Sequence, residues 1–309
     1  MKARSLILSL FILLFSCGKE ADEVRSAIEE AHFLLTEKNC SQAKEVLDEI
    51  GYQATNADYI GAYASMYGCL AGYSTITFFA DDIDQLSADQ NGLMGSLTLF
   101  STSDDMTSPT DPDFTNLQLA ISTILYAGNQ SSSSSANRET VFNIRDNTNL
   151  NVQAMYMILV NLGRWLKFYG NPDVTGEKGA GPDSNTCLFT YTDGDALLAL
   201  SAGETGNCTN VNNTGSSDMM TGDPVEEKTR LCQGIVMFTN FIDLLANVEF
   251  SGDQAGDLSD IGDTFEEACD DIATAGYPYC DMRDLSGCLA RDIDDLQVFS
   301  VLLFESNYK

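Results

Sequence analysis

The chain has 309 residues, of which 46 are Asp or Glu and 16 are Lys or Arg, so its formal net charge is −30. A charge of this sign and size repels phosphate backbones, which excludes nucleic acid as an expected partner. The hydrophobic fraction of 44% is near the globular average. The composition therefore also excludes a wholly disordered acidic chain and allows a sizeable core.

The first residues have the plan of an export signal. Lys2 and Arg4 supply positive charge, and residues 6–15 form an apolar run that is too short for a stable transmembrane helix. The run ends in Leu14-Phe15-Ser16-Cys17. This ending resembles a bacterial lipobox, in which a small residue precedes the cysteine that receives lipid and becomes the new N-terminus.

The lipobox resemblance implies both a domain division and a location. Residues 1–16 would be the lipoprotein signal peptide, and residues 17–309 would form one exported domain held to the membrane by acyl chains on Cys17. In this family of signals an Asp after the cysteine retains the protein at the inner membrane, whereas this chain has Gly18. We therefore expect a protein anchored in the bacterial outer membrane, on a face that the sequence leaves open.

Helical periodicity dominates the rest of the chain, and strand signals are scarce. Asn39 is a candidate N-cap, and the runs that begin at Asp111-Pro112 and Asp223-Pro224-Val225-Glu226 each combine an N-cap residue with a first-turn proline. These patterns predict an all-α fold with long polar loops. The expected helices cover residues 24–35, 40–50, 57–72, 112–125, 152–169, 224–245, 263–272 and 282–304, and the expected loops or linkers cover 101–113, 131–135, 171–186 and 201–223.

The first two predicted helices resemble one tetratricopeptide repeat, in which small and large residues recur at fixed positions over 34 residues. Ala27, Ala31 and Leu34 stand at the repeat positions of helix A, and Ala43 and Leu47 stand at the expected offsets of helix B. The resemblance implies an antiparallel helical array, whose usual work is to bind other proteins on a concave surface.

The third helix would begin a second repeat, and the resemblance ends with that helix. The resemblance therefore covers about residues 20–75. Ala27, Glu30 and Thr55 depart from the pattern, where the repeat usually has Trp, Leu and Pro. The third helix would carry the following matching residues at a spacing two residues longer than the norm: Tyr63, Met66, Tyr67 and Leu70.

Eight cysteines remain after Cys17, an even number that predicts four disulfides in an exported protein. Zinc is disfavoured because the chain has no Cys-x-x-Cys pair and a single His. Cys40 and Cys69 should face each other on antiparallel helices, and we expect them to be paired. Of the 15 pairings open to the other six, we predict Cys187–Cys208, Cys232–Cys269 and Cys280–Cys288.

Other candidate sites favour a structural interpretation. His32 could act as a base, but no nucleophile is placed with it, so a partly buried structural His is favoured. Lys178 lies in the Gly176–Gly181 stretch, which lacks a phosphate-loop pattern, and Trp165 is expected in the core. Three acidic clusters could hold calcium, but solvated surface is favoured because none fits a calcium-loop pattern. They are Asp81, Asp82 and Asp84; Asp193 and Asp195; and Asp253, Asp257, Asp260 and Asp263.

The sequence thus predicts no catalytic residue, metal or cofactor. The favoured function is a non-enzymatic, lipid-anchored envelope lipoprotein that serves as an interaction scaffold or as an accessory subunit of an outer-membrane assembly. The first alternative is a ligand-binding accessory lipoprotein, similar in plan to the T component of TRAP transporters, with a small hydrophobic ligand. The second alternative is an enzyme acting on envelope polymers, which would need a cleft with paired carboxylates of shifted pKa.

Overall fold

A computed structural model describes residues 21–86, 90–178, 187–201, 208, 219–247 and 255–308. Every regular element in these ranges is helical, and the backbone there has isolated bridge residues, such as the pair Pro172 and Lys178, but no strand. The prediction of an all-α fold is therefore confirmed. The predicted signal peptide, residues 1–16, and Cys17 lie outside the described residues.

The helices follow one another along the chain with short turns and a few longer loops between them. They are α1 (21–36), α2 (Cys40–Glu49), α3 (Ala57–Leu70), α4 (Thr75–Thr77), α5 (Gln90–Leu97), α6 (Pro112–Leu125), α7 (Ser135–Arg138), α8 (Ile144–Tyr169), α9 (Gly194–Ser201), α10 (Pro224–Ala246), α11 (Ala255–Thr274), α12 (Leu285–Leu289) and α13 (Ile293–Ser300). Two π-helical turns, Phe78–Asp82 and Val301–Glu305, follow α4 and α13. None of the helices in the described ranges is long and apolar enough to cross a membrane.

Side-chain caps explain why several helices begin where they do. The Asp111 carboxylate accepts the N–H groups of Asp113 and Phe114 at the start of α6, and Asp223 does the same at the start of α10. Both predicted caps are confirmed. Asn39 does occupy the predicted N-cap position of α2, but its side chain makes no capping bond and its amide donates to Gln42 instead.

A glutamate in the first turn of α10 reaches back to the residues before the helix. Glu227, rather than Glu226, reaches back to accept the N–H groups of Thr221 and Gly222, at 2.8 and 2.6 Å. Glu226 instead pairs with Arg230 one turn along the helix.

Helix α8 is the centre of the fold, packing against α3, α5, α6 and α10. Its second half is buried almost all around, and Trp165 is 0% exposed, as predicted. The helix begins eight residues before the predicted start because Asn143 caps it and the buried Asn151 in its second turn bonds to Arg138. An apolar period cannot detect polar side chains that face inward.

The C-terminal segment, predicted as one helix over 282–304, is divided into three pieces. Asp292 accepts the N–H of Asp294 and starts α13 as a separate helix after α12, and α13 then runs into the π-helical turn. Helix α11 is longer than predicted, since it begins at Ala255 rather than at residue 263.

Four disulfides join these helices. Cys40–Cys69 and Cys187–Cys208 are confirmed. The first joins the start of α2 to the end of α3, and the turn between these helices is short, so the two are antiparallel. The other two predicted pairs are wrong, because Cys232 bonds to Cys288 and Cys269 to Cys280. Helix α12 packs on α10, and the chain turns back directly after α11.

Candidate functional site

A concave surface opens between α1, α3 and the first half of α8, and we call it the α3–α8 groove. Its cavity measures about 550 Å³, which lies within the roughly 300–1,000 Å³ typical of ligand pockets. The segment around α4 closes one side. The lining residues are His32, Ala57, Asp58, Gly61, Ala62, Ser65, Tyr73, Thr75, Phe79, Asp146, Asn149, Leu150, Val152, Gln153, Tyr156 and Met157.

Small residues on α3 and one long amide on α8 fix the width of the groove. The Gln153 side-chain amide donates to the carbonyl of Gly61 at 3.1 Å and to the hydroxyl of Ser65 at 2.9 Å. A side chain larger than that of Gly61 would meet Gln153, because an added Cβ would lie 3.3 Å from its amide oxygen. At Gly61 the lack of a side chain therefore allows α8 to approach α3 closely.

Aromatic rings form one wall of the groove. The Phe79 ring lies 5.0 Å from that of Tyr156 in an edge-to-face arrangement, and Phe79 is 46% exposed. Burial raises the pKa values of Tyr73 and Tyr156 above their ordinary value. Both phenols therefore stay protonated at neutral pH.

The charged side chains of the groove lie on its rim. Asp58 and Asp146 occupy the first turns of α3 and α8, where the helix dipole favours a negative charge. Asn143 donates to the Asp146 carboxylate at 2.8 Å. His32 is exposed at the edge of the groove, so its interpretation as a partly buried structural His is wrong.

The first acidic cluster separates into two kinds of residue. Asp81 and Asp84 are exposed, as expected for solvated surface. Asp82 is buried, and its carboxylate accepts the N–H groups of Ser101 and Thr102 at 2.9 and 2.7 Å and both of their hydroxyls. Asp82 thus holds the loop after α5, and the expectation that it is solvated is wrong.

The second acidic cluster is part of a helix start. Asp193 accepts the N–H groups of Asp195 and Ala196 at 2.9 Å and so caps α9. Burial, together with repulsion from Asp193 and Asp292, raises the pKa of Asp294 nearby. The third cluster lies outside the described side chains.

Within the described part of the chain, one group of side chains lies close enough together to hold a metal ion, and it consists of Cys187, Cys208 and Glu305. The two sulfurs are bonded to each other. The Glu305 carboxylate accepts the N–H groups of Leu188 and Phe189, both at 3.0 Å. This grouping is therefore a structural junction between the loop that carries Cys187 and the C-terminus.

Lys178, the cation of the glycine-rich stretch, is buried at the same junction. Its ammonium lies 3.3 Å from the Glu305 carboxylate and donates to the Glu305 carbonyl at 2.7 Å. Burial lowers the pKa of Lys178, although the charge of Glu305 opposes the shift. A lysine held in this way does not bind phosphate at the surface, in agreement with the lack of a phosphate-loop pattern.

A buried arginine that the sequence did not single out organises the serine run. Arg138 donates to the side-chain oxygen of Asn151 and to the carbonyls of Leu125 and Ser133, and burial lowers its pKa to about 10. The N–H of Ser135 donates to Asp243. Residues 131–134 lie outside the helices, as expected of a loop, but the bonds of Ser133 and Ser135 hold this run in the packed structure, so its interpretation as a linker is wrong.

No protein-family model, curated protein or solved structure matches the chain. Inferences about its function therefore rest on the fold and on the geometry of the groove.

Proposed function

We propose that this protein is a non-enzymatic envelope lipoprotein that binds a segment of a partner protein in the α3–α8 groove. The observation that carries the proposal is the groove itself, an open cavity of about 550 Å³ with an apolar floor and an exposed aromatic wall. Exposed apolar surface of this kind marks interaction sites in soluble domains. Helical arrays commonly use their concave faces in this way.

The rim defines the chemistry of the partner segment. Asp58 and Asp146 place negative charge beside the apolar floor, and the whole chain carries a formal charge of −30. A segment with apolar side chains flanked by Lys or Arg complements both features. Such a segment would place its apolar residues against Leu150, Tyr156 and Phe79.

The buried carboxylates support the non-enzymatic part of the proposal. Asp82 and Asp111 are the buried aspartates of the described residues, and backbone N–H groups occupy both of them. Carboxylates bound in this way hold loops and helix starts.

Lipid on Cys17 would hold the domain at the outer membrane, as an accessory subunit of an assembly there. Labelling with palmitate in the native host tests this part. We expect label in the wild type and none in Cys17→Ala, with the variant released from the membrane fraction. Unchanged membrane association of the variant would contradict the anchor.

Co-purification tests the groove. Asn149 is exposed and lines the groove, so Asn149→Trp fills it at little cost to the core. Leu119→Trp adds similar bulk at an exposed position of α6 outside the groove. We expect Asn149→Trp to lose a partner that the wild type and Leu119→Trp both retain, and that partner to contain an apolar segment flanked by basic residues. Retention of the same partners by all three proteins would refute the proposal.

A further inference from the structure

A second cavity lies between α6, α8, α10 and α12, and we call it the α6–α10 cleft. It measures about 190 Å³, and it shares no lining residue with the α3–α8 groove. The lining residues are Gln118, Ile121, Ser122, Leu125, Tyr126, Ile158, Gln233, Val236, Met237, Asn240, Arg283 and Leu285.

The cleft has an apolar floor and a mouth that exposes an apolar residue. Ile121, Leu125, Ile158 and Met237 are buried at its base. Leu285 is 39% exposed at its edge. An apolar cavity that reaches the surface gains by taking up an apolar group, because that group leaves water and fills empty space.

Two buried polar atoms of the residues that line the cleft make no hydrogen bond to the described residues, the side-chain oxygen of Asn240 and Nε of Arg283. Only Nε of Arg283 has an ionic partner, the Asp243 carboxylate at 3.3 Å. Asn240 is 1% exposed, and its side-chain oxygen makes no hydrogen bond to any described residue. Its amide nitrogen donates to the carbonyls of Val236 and Arg283 at 2.8 and 2.7 Å. Exchanging the nitrogen and the oxygen would set the oxygen against two carbonyl oxygens, so the hydrogen-bond network fixes this orientation.

A buried acceptor without a donor is unfavourable, and its presence in a cavity points to a missing donor. Two other polar side chains of the cleft, those of Tyr126 and Arg283, already have partners. The Tyr126 hydroxyl donates to Asp284 at 2.6 Å, and the guanidinium of Arg283 pairs with Asp243 and Asp281 at 3.3 and 3.2 Å. The two carboxylates balance the charge of Arg283, so the cleft offers no net cation to an anionic ligand.

We propose that the α6–α10 cleft binds a small, neutral, single-ring ligand whose one O–H or N–H group donates to the side-chain oxygen of Asn240. The volume supports this size, since an apolar cavity of about 150 Å³ holds benzene, and a cavity of about 190 Å³ has room for a ring with a few further atoms. The site is separate from the proposed partner groove and stands independently of it.

Phenol and toluene are a matched pair of probes, because they have nearly the same shape and only phenol has a donor. Titration of the full chain is followed by the methyl resonances of Met237 and Ile158. We expect phenol to shift both resonances in a saturable manner and to show nuclear Overhauser contacts to the Met237 methyl group. Absence of these contacts would overturn the proposal.

Two kinds of variant separate the hydrogen bond from the cavity. Asn240→Leu should weaken the binding of phenol by about fivefold to a hundredfold, because the phenol hydroxyl loses its acceptor. Toluene should bind this variant as tightly as the wild type, or more tightly. Ser122→Phe should fill the mouth of the cleft and abolish the binding of both phenol and toluene. Leu119→Phe, on the same helix outside the cleft, should still bind both compounds. Equal weakening of phenol and toluene in Asn240→Leu, or unchanged binding in Ser122→Phe, would overturn the proposal. If Asn240→Leu does not fold, Ser122→Phe still decides.

Discussion

The contact between Gly234 and Trp165 gives the sharpest test of the packing between α8 and α10. A Cβ added to Gly234 would lie 2.6 Å from Cζ3 of the indole and still closer to Cη2 and Cζ2. The ring cannot move aside easily, because its N–H donates to the Arg230 carbonyl at 3.1 Å and its faces contact Phe189 and Phe304. Gly234→Ala must therefore push the two helices apart or force the indole from its rotamer.

The expected effect follows from two opposing contributions. Overpacking of a close-packed core costs about 1–3 kcal/mol, and an overlap with three atoms of a fixed ring places Gly234→Ala in the upper half of that range. Alanine is better than glycine in a helix by about 1 kcal/mol. The free energy of unfolding should therefore fall by about 1–2 kcal/mol. With a urea slope of about 2 kcal/mol/M, the midpoint should fall by about 0.5–1 M.

Trp165 is the single tryptophan of the chain, so its fluorescence reports unfolding from the centre of this contact. The control is Gly287→Ala, an exposed position of α12 where an added Cβ meets nothing within 4 Å. We expect the control to be neutral or slightly stabilised. By circular dichroism, Gly234→Ala should be less harmful in a Trp165→Phe background. A midpoint for Gly234→Ala equal to or above that of the wild type would refute the packing argument.

Two further predictions concern the disulfides and the acid limit. Removal of the Cys232–Cys288 disulfide, whose cysteines are 56 residues apart, should lower the free energy of unfolding by about 4 kcal/mol. Removal of Cys269–Cys280, with a separation of 11, should lower it by about 3 kcal/mol. Urea unfolding of variants with both cysteines of a pair changed to Ser tests this order, and the reverse order would contradict it. Burial of the Asp111 carboxylate raises its pKa, but the hydrogen bonds that it accepts lower the pKa further, and the result lies below 3.8. The ionised Asp111 therefore stabilises the fold fully above pH 3.8, and this stabilisation is lost as the pH falls through the lower pKa of the folded state. The stability gap between wild type and Asp111→Asn should therefore shrink below pH 3.8, and a gap independent of pH would contradict this assignment.

Local signals were sufficient to predict several helix starts. Asp111 and Asp223 bond to N–H groups two and three residues along the chain, so the information for both caps lies within a few residues of sequence. The pair Cys40–Cys69 was predictable for a similar reason. Its two cysteines stand on neighbouring helices joined by a short turn, which leaves few arrangements.

Long-range contacts explain what the sequence did not predict. The partner of Cys232 depends on the packing of α12 against α10, which no local pattern records. The early start of α8 depends on Asn151, whose inward-facing amide has its partner, Arg138, on another helix. From the sequence alone, buried polar residues of this kind are taken for surface residues.

The candidate site, too, has features that the local sequence indicates and features that depend on long-range contacts. The small residues of α3, such as Gly61 and Ala62, are visible in the sequence and are of a size that lets another helix approach closely. That the approaching helix is α8, and that Gln153 fixes the spacing, depends on contacts across about 90 residues of chain. The aromatic wall at Phe79 lies in a π-helical turn, a feature that an α-helical period does not reveal.

Site-specific photocrosslinking from the groove tests the central claim most directly. A photoreactive phenylalanine derivative is placed at Asn149, within the groove. In a second protein it is placed at Leu119, outside the groove, and both full-length proteins are irradiated in cells of the native host. The account predicts that Asn149 captures one protein segment with apolar residues flanked by Lys or Arg, and that Leu119 does not capture it. The same crosslinks from both positions, or no protein captured from Asn149, would contradict the claim that the α3–α8 groove is a partner-binding site.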